Sequence, residues 1–149
     1  MPHNQETWSF EHSVNCAESV PFAWEFWTNV RHWALDSDVE SIKIDGPFTA
    51  GTRGVTISKS SGRIEWRIAE AQAGRAVIET PLPGAVSRSI WTFEDAAGGC
   101  RITQRWTLEG ERAGAYASEF GPILEAGIPM GMAKLCSAIE DAARAGRST

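Results

Sequence analysis

The stretch IWTFEDAAGGCRITQRWTLEG, residues 90–110, predicts two antiparallel strands joined by a glycine-containing turn. In its second half Ile102, Trp106 and Leu108 alternate with polar residues, and this period of two is typical of a strand with one buried face. Trp91 and Phe93 share that face if residue 93 pairs with 102 and residue 91 pairs with 104. The stretch therefore predicts a hairpin of defined register with an apolar and aromatic inner face.

Gln104 is the exception on this apolar face. A primary amide buried without partners costs roughly 2–7 kcal/mol, so Gln104 either has partners in the interior or lies in an interior that is not fully packed. The predicted register places Ser89 opposite Trp106 on the same face, which brings a hydroxyl close to the amide. On the outer face the register places Glu94 opposite Arg101, a favourable pair of opposite charges.

Length, composition and charge limit the classes of function. The chain has 149 residues, of which 42% are hydrophobic and 22% are charged, as is typical of one globular domain with its own core. The formal net charge is −5 and the basic residues are scattered singly, so we expect no nucleic-acid partner. No apolar stretch approaches the ~20 residues that cross a bilayer, and the N-terminus does not resemble a secretory signal. We therefore expect a cytoplasmic protein without stable membrane insertion.

Motifs for metal binding and for nucleophilic catalysis are missing from the sequence. Cys16, Cys100 and Cys136 are far apart along the chain, and none has the CxxC or Cys/His spacing of a zinc site or redox pair. There is no G-x-S-x-G and no H-E-x-x-H motif. We therefore expect no metal and no cofactor. His12 is the only histidine on a predicted strand, and the weak alternation there leaves its direction open.

Two regions of the chain have the periodicity of helices. Apolar residues every three or four positions predict a helix over 20–30, followed by a short helix or turn over 31–35. Residues 115 to about 146 carry a continuous apolar stripe at helical spacing. Because proline lacks the backbone N–H, Pro122 and Pro129 predict a kink or an irregular first part in this long helix.

The strands precede the long helix almost without interruption. They are predicted at 7–16, in two parts of 41–62 joined by a glycine-rich turn, and at 63–72, 76–83, 86–94 and 101–110. A run of strands followed by a helix favours an α+β fold in which an antiparallel sheet packs on a helical layer.

This order of elements, together with three segments, resembles the START-like (SRPBCC) superfamily and, within it, the polyketide cyclase/dehydrase-like family. The segments are SVPFAWEFWTNVRHW (19–33), VESIKIDGPFTAGTRG (39–54) and IWTFEDAAGGCRITQRWTLEGE (90–111). The resemblance implies a helix-grip fold, in which a curved seven-stranded antiparallel sheet wraps around a long C-terminal helix, with two short helices after the first strand. It extends from about Trp8 to Ala145, so we expect one domain over 1–149 with frayed tails at 1–6 and 146–149.

The resemblance also implies an apolar cavity between the sheet and the C-terminal helix. In such a cavity Gln104 and Ser89 would pair with water or with a polar group of the ligand; alternatively, the protein itself holds them. Tryptophans on the inner strand faces either line the cavity or fill it. The candidate lining residues are Trp27, Trp66, Ser89, Trp91, Gln104, Trp106, Tyr116, Phe120, Leu124, Ile128 and Met132.

Three functions are compatible with this resemblance, because the family shares no single catalytic motif. The first is binding of a hydrophobic small molecule of lipid, polyketide or aromatic type. The second is polyketide cyclisation or dehydration by orientation of the substrate, with unknown catalytic residues. The third is a co-chaperone-like protein-interaction module. A homodimer would also be unremarkable in this class.

Overall fold

The computed structural model describes residues 6–35, 39–60 and 62–147 as a seven-stranded antiparallel sheet and three helices. The sheet order is β1-β7-β6-β5-β4-β3-β2. The strands are β1 (Glu6–Cys16), β2 (Val39–Ile44), β3 (Arg53–Ser58), β4 (Gly62–Gln72), β5 (Arg75–Leu82), β6 (Ala85–Ala96) and β7 (Gly99–Glu109). The helices are α1 (Val20–Thr28), a short 3₁₀ helix (Val30–Leu35) and α2 (Ala113–Arg147). This arrangement confirms the predicted helix-grip fold.

The hairpin of β6 and β7 has the register that the sequence predicts. Residue 93 pairs with 102, residue 91 with 104, Ser89 with Trp106, and Glu94 with Arg101. Ile102 is fully buried and Leu108 is 3% exposed, which confirms the apolar inner face. We call the side of the sheet that packs against α1 and α2 its inner face.

Aromatic side chains fill the interior beneath α1. Trp27 is 3% exposed, and its ring centroid lies 4.9 Å from that of Trp91 and 5.2 Å from that of Trp33. The indole N–H of Trp33 is satisfied within the protein, since Trp33 Nε1 donates to the Trp27 carbonyl at 2.7 Å. We call this cluster the aromatic end; its members are Trp24, Trp27, Trp33, Phe48, Trp66, Trp91 and Phe93.

The long helix α2 continues without a break through Pro122 and Pro129, so the expected irregular first part is wrong, while the alternative, a kink, stays a prediction. Each proline removes the hydrogen bond to the carbonyl four residues earlier, at Ser118 and Glu125. Both of these residues are exposed, so water can satisfy their carbonyls and the helix persists. The helix packs mainly against β1, and it also contacts β7 and α1.

The expectation of frayed tails falls mostly outside the described residues. Residues 1–5 and 148–149 are not among them, while β1 begins at Glu6 and α2 ends at Arg147. The extent of the domain over 1–149 stays a prediction.

Candidate functional site

Neutral polar side chains cross the inner face of the sheet on β6 and β7. Ser87, Ser89 and Gln104 are 6%, 7% and 6% exposed. Gln104 Nε2 donates to Ser89 Oγ at 2.9 Å, and Trp106 Nε1 donates to Ser87 Oγ at 2.6 Å. No buried side-chain nitrogen or oxygen of the described residues lacks a partner. The amide on the apolar face is therefore paired within the protein, and its partner is the serine that the predicted register placed nearby.

His12 extends this polar row onto β1. It pairs with Gln104 across the strands, and residues paired in an antiparallel sheet have side chains on the same face. The structure thus directs His12 inward, a direction that the weak alternation of β1 left open. The side chain is half-buried, and its ring makes no hydrogen bond to any residue in the described ranges. We call His12, Gln104, Ser89 and Ser87 the polar stripe.

Two hydrophobic clusters lie around the polar stripe. The larger cluster contains the aromatic end, Trp106 and the part of α2 from Leu124 onward, including Ile128 and Met132. The smaller cluster lies around Ala85, Leu108 and Ala113, where α2 begins. Along β6 the inner face therefore changes from large aromatic rings to two serines and then to alanine, so the side chains become small at the stripe.

The predicted lining residues lie in three places: in the aromatic end, next to Gln104 on β6 and β7, and on α2. Trp27 and Trp66 are buried in the aromatic end, and Trp66 Nε1 donates to Thr56 Oγ1 at 2.9 Å. Trp91 is the cross-strand partner of Gln104, and Trp106 lies two residues further along β7; both rings are half-buried. On α2, Ile128 and Met132 are buried and Leu124 packs partly against the larger cluster. Their role as cavity-lining residues stays a prediction.

Tyr116 and Phe120, two further candidate lining residues, lie near the start of α2. The Tyr116 hydroxyl donates to the Pro83 carbonyl at 2.9 Å, which ties this turn of helix to the loop between β5 and β6. The two rings stack with centroids 6.3 Å apart, and Phe120 is 38% exposed. The start of α2 is therefore anchored to the sheet through Tyr116, while Phe120 remains exposed.

Two surface depressions of about 370 Å³ each lie at the β2 edge of the sheet. One is lined by the end of α1, the 3₁₀ helix and β2, and the other by β2, β3 and β4. Of the predicted lining residues, only Trp66 reaches either depression. These depressions are therefore distinct from the polar stripe beneath α2.

The three cysteines, which the sequence spacing assigned to no common site, converge in the fold. Cys16 at the end of β1 pairs with Cys100 at the start of β7, and Cys136 on α2 lies above them. All three are free thiols. Burial raises the pKa of Cys16 and of Cys136, and burial followed by the proximity of Cys16 raises the pKa of Cys100 to about 11. Sequence spacing could not find this cluster, because its contacts join distant parts of the chain.

Comparison with known proteins assigns the chain to a family. Residues 7–142 match the family described as polyketide cyclase / dehydrase and lipid transport. The chain belongs to this family. Among curated proteins, none matches it in sequence. No helix in the described part of the chain is long and apolar enough to cross a membrane.

Solved structures share the fold at low sequence identity. Norcoclaurine synthase from Thalictrum flavum, in complex with dopamine and hydroxybenzaldehyde, is 11% identical, with a TM-score of 0.72 over 93% of this chain and 89% of that chain. The di-domain ARO/CYC protein StfQ of the steffimycin biosynthetic pathway is 16% identical, with a TM-score of 0.72, and the match covers 93% of this chain and 51% of StfQ. The protein TTHA0849 from Thermus thermophilus is 13% identical, with a TM-score of 0.71 over 90% and 98% of the two chains.

Proposed function

We propose that this protein binds a hydrophobic, ring-bearing small molecule that carries a hydroxyl or carbonyl group, between the polar stripe and α2. The observation that carries the proposal is the stripe itself, a row of neutral polar groups flanked by the half-buried Trp91 and Trp106. Ligand sites are mostly apolar, with a few placed polar groups that fix the orientation of the ligand. The description of the family as cyclase, dehydrase and lipid transport proteins supports the same class of ligand.

The hydrogen-bonding capacity of the stripe exceeds what the protein uses. A glutamine side chain has two N–H donors and one carbonyl acceptor, and Gln104 uses one donor on Ser89. Among the described residues no donor reaches Gln104 Oε1, which is therefore not shielded from solvent, and none bonds to the His12 ring. These groups lie on directly paired residues, whose Cβ atoms in such a pair are about 5 Å apart. A ligand hydroxyl can donate to Gln104 Oε1 while it accepts from the His12 ring, and a ligand carbonyl can accept from the His12 ring and from the remaining N–H of Gln104.

The surroundings of the stripe suit a flat ligand. Indole rings provide large rigid surfaces that stack on other rings, and both Trp91 and Trp106 remain partly accessible. The serines of β6 leave more room than the aromatic rings further along the same strand. Trp106 is held in orientation by its bond to Ser87, so its ring is already placed for contact.

The seven tryptophans allow a direct test by NMR, because each indole N–H gives its own signal. The probe is 2-naphthol, and naphthalene is its control without a hydroxyl. We expect saturable shifts of the Trp91 and Trp106 signals, with Trp33 unaffected. We also expect Gln104→Met to weaken binding of 2-naphthol about tenfold and binding of naphthalene hardly at all, since a site that pairs with a hydroxyl discriminates by that bond.

Two outcomes would overturn the binding proposal. The first is the absence of any saturable shift with either compound. The second is binding that shifts mainly the Trp33 and Trp66 signals and ignores the Gln104 substitution, which would place the ligand at the β2 edge.

A second candidate function is cyclisation or dehydration of a polyketide chain, and the inward direction of His12 favours it. An imidazole next to an amide could transfer a proton within a bound chain that the pocket holds in a reactive fold. The test is incubation with a linear poly-β-keto thioester and analysis of products by mass spectrometry. Cyclic product that forms faster with the wild type than without protein would support catalysis, and its loss in His12→Gln, with 2-naphthol binding retained, would assign the proton transfer to His12. No increase over the protein-free reaction would exclude catalysis.

A further inference from the structure

A second group of chemically active side chains lies on the inner face beneath the C-terminal half of α2. Cys16 and Cys100 pair at the end of the sheet, and Cys136 and Glu140 descend from the helix above them. The pair of Val14 and Ile102 separates this group from the polar stripe. The proposed ligand site does not use any of these side chains.

Three of these residues already have the spacing of metal ligands. The sulfur atoms of Cys16 and Cys136 and a carboxylate oxygen of Glu140 all lie within 4.8 Å of one another. Cys136 Sγ and Glu140 Oε2 are 3.6 Å apart. In a tetrahedral zinc site, bond lengths of about 2.3 Å to sulfur and about 2.1 Å to oxygen place these two atoms roughly 3.6 Å apart.

Secondary structure holds the three ligands in place without a metal. Cys136 and Glu140 are four residues apart on α2 and therefore project from the same face of the helix. The Ala17 backbone N–H donates to Glu140 Oε2 at 2.8 Å, which fixes the carboxylate over the end of β1. Such bonds to the ligands themselves orient a metal site and raise its affinity.

The charge around these side chains favours a cation. No ion pair joins Glu140 to a lysine or arginine whose side chain the structure describes, although the Glu140 carboxylate is half-buried. Asp95 adds negative charge near Cys100. The charge of the Glu140 carboxylate would attract a cation placed between it and the two sulfur atoms.

We propose that Cys16, Cys136 and Glu140 bind a thiophilic divalent cation such as Zn²⁺. Thiolate and carboxylate ligands suit zinc, and a set of three protein ligands leaves the fourth tetrahedral position to water. On binding, the two thiols release two protons to solvent, so the metal is held by two thiolates and one carboxylate. Cys136 and Glu140 are partly exposed, which gives the ion a path of entry, whereas Cys100 lies behind Cys16 and is not a ligand.

The test uses reduced, chelator-treated full-length protein titrated with Zn²⁺, with Cd²⁺ as an optical probe and Mg²⁺ as a hard-cation control. We expect one equivalent of Zn²⁺ to bind, a rise in Tm that grows with Zn²⁺ concentration, and a thiolate-to-Cd²⁺ charge-transfer band in the ultraviolet. Mg²⁺ should have no effect. Cys136→Ser and Glu140→Gln should each weaken Zn²⁺ binding at least tenfold.

Cys100→Ala is the matched control, because it removes a thiol of the same cluster that lies outside the ligand set. It should leave Zn²⁺ affinity within a factor of about three, after its folding has been checked by circular dichroism. Binding that survives both Cys136→Ser and Glu140→Gln belongs elsewhere on the chain and overturns the proposal. Absence of the Cd²⁺ band in reduced, folded wild-type protein overturns it as well, and so does equal loss of affinity in Cys100→Ala.

Discussion

The inner and outer faces of β6 and β7 both carry polar side chains, but they satisfy them in different ways. On the outer face Arg88 donates to Glu79 and to Glu109, and Glu79 also accepts from Arg67. These four charged side chains lie on β4, β5, β6 and β7, and we call them the outer ladder. On the inner face, the neighbours Ser87 and Ser89 each accept one bond from a neutral donor. The outer groups satisfy one another with charge, whereas the inner groups are neutral and retain unused capacity for hydrogen bonds.

The two faces therefore contribute to the stability of the fold in different ways. Burial alone would raise the pKa of Glu79, but its bonds to Arg67 and Arg88 outweigh burial and lower that pKa. The outer ladder therefore stabilises the fold in a manner that depends on pH and salt. The inner face contributes through packing at the aromatic end and through the hydrogen bonds of Gln104 and Trp106 to the two serines, and we expect these contributions not to depend on salt.

The largest expected effect is the loss of a ring from the aromatic end. Trp27→Ala removes a side chain that is 3% exposed and contacts several other rings, so we expect a loss of about 3–5 kcal/mol in the free energy of unfolding. Urea unfolding at low and at high NaCl should give the same loss. Trp106→Ala is the control, and its half-buried ring should cost clearly less. Equal losses would mean that the inner face is packed evenly along its length, which would remove the contrast between aromatic end and stripe.

Sequence periodicity predicted the elements of this inner face better than it predicted the site. The β6–β7 register followed from alternation in both strands together with the short glycine-containing turn, since this pairing puts the aromatic rings on one face. The direction of His12 required its partner on β7, and β1 alternates too weakly to supply it. Continuity of α2 through Pro122 depended on solvent exposure of the freed carbonyl. Convergence of the cysteines depended on how α2 crosses β1, which no local pattern encodes.

Overpacking of the same aromatic end should have the next largest effect. A Cβ atom on Gly54 would lie 2.2 Å from Trp66 Cζ2, and the Trp66 ring is 5% exposed, so it has little room to move. We expect Gly54→Ala to cost about 1–3 kcal/mol in urea unfolding. Gly127→Ala is the matched control on α2, because its Cβ would meet no atom within 4 Å. There the same change should raise stability by up to about 1 kcal/mol. A neutral Gly54→Ala would show that the aromatic end has free volume.

Removal of a charge from the outer ladder should have a smaller effect that depends on conditions. We expect Glu79→Gln to lower the free energy of unfolding by roughly 1–2 kcal/mol at neutral pH and low salt, and by less at high salt. Since the folded-state pKa of Glu79 lies below its ordinary value of 4.5, its contribution is present above that pH and is lost as pH falls through the folded-state pKa. The stabilities of the wild type and the variant should therefore converge in acid. Glu65→Gln, at a side chain 73% exposed, should change little at any pH.

The smallest expected effect is the loss of the hydrogen bond between Gln104 and Ser89. The dependence of this bond on salt and pH tests whether charged groups act on the inner face. In a double-mutant cycle, Gln104→Met and Ser89→Ala each leave a polar partner unpaired, while the double variant leaves none, so the two losses should not add. We expect a coupling of about 0.5–1.5 kcal/mol in urea unfolding, the usual range for a neutral hydrogen bond.

Salt and pH distinguish this neutral pair from the outer ladder. The Gln104–Ser89 coupling should stay constant between low and high NaCl and from about pH 4 to about pH 8, because neither side chain titrates in that range. A cycle between Arg88→Ala and Glu79→Gln is the control, and its coupling should fall in salt and in acid. A Gln104–Ser89 coupling that followed the same salt and pH dependence would mean that a charged group acts on the stripe. His12, the titratable neighbour across β1, would then be the group to substitute next.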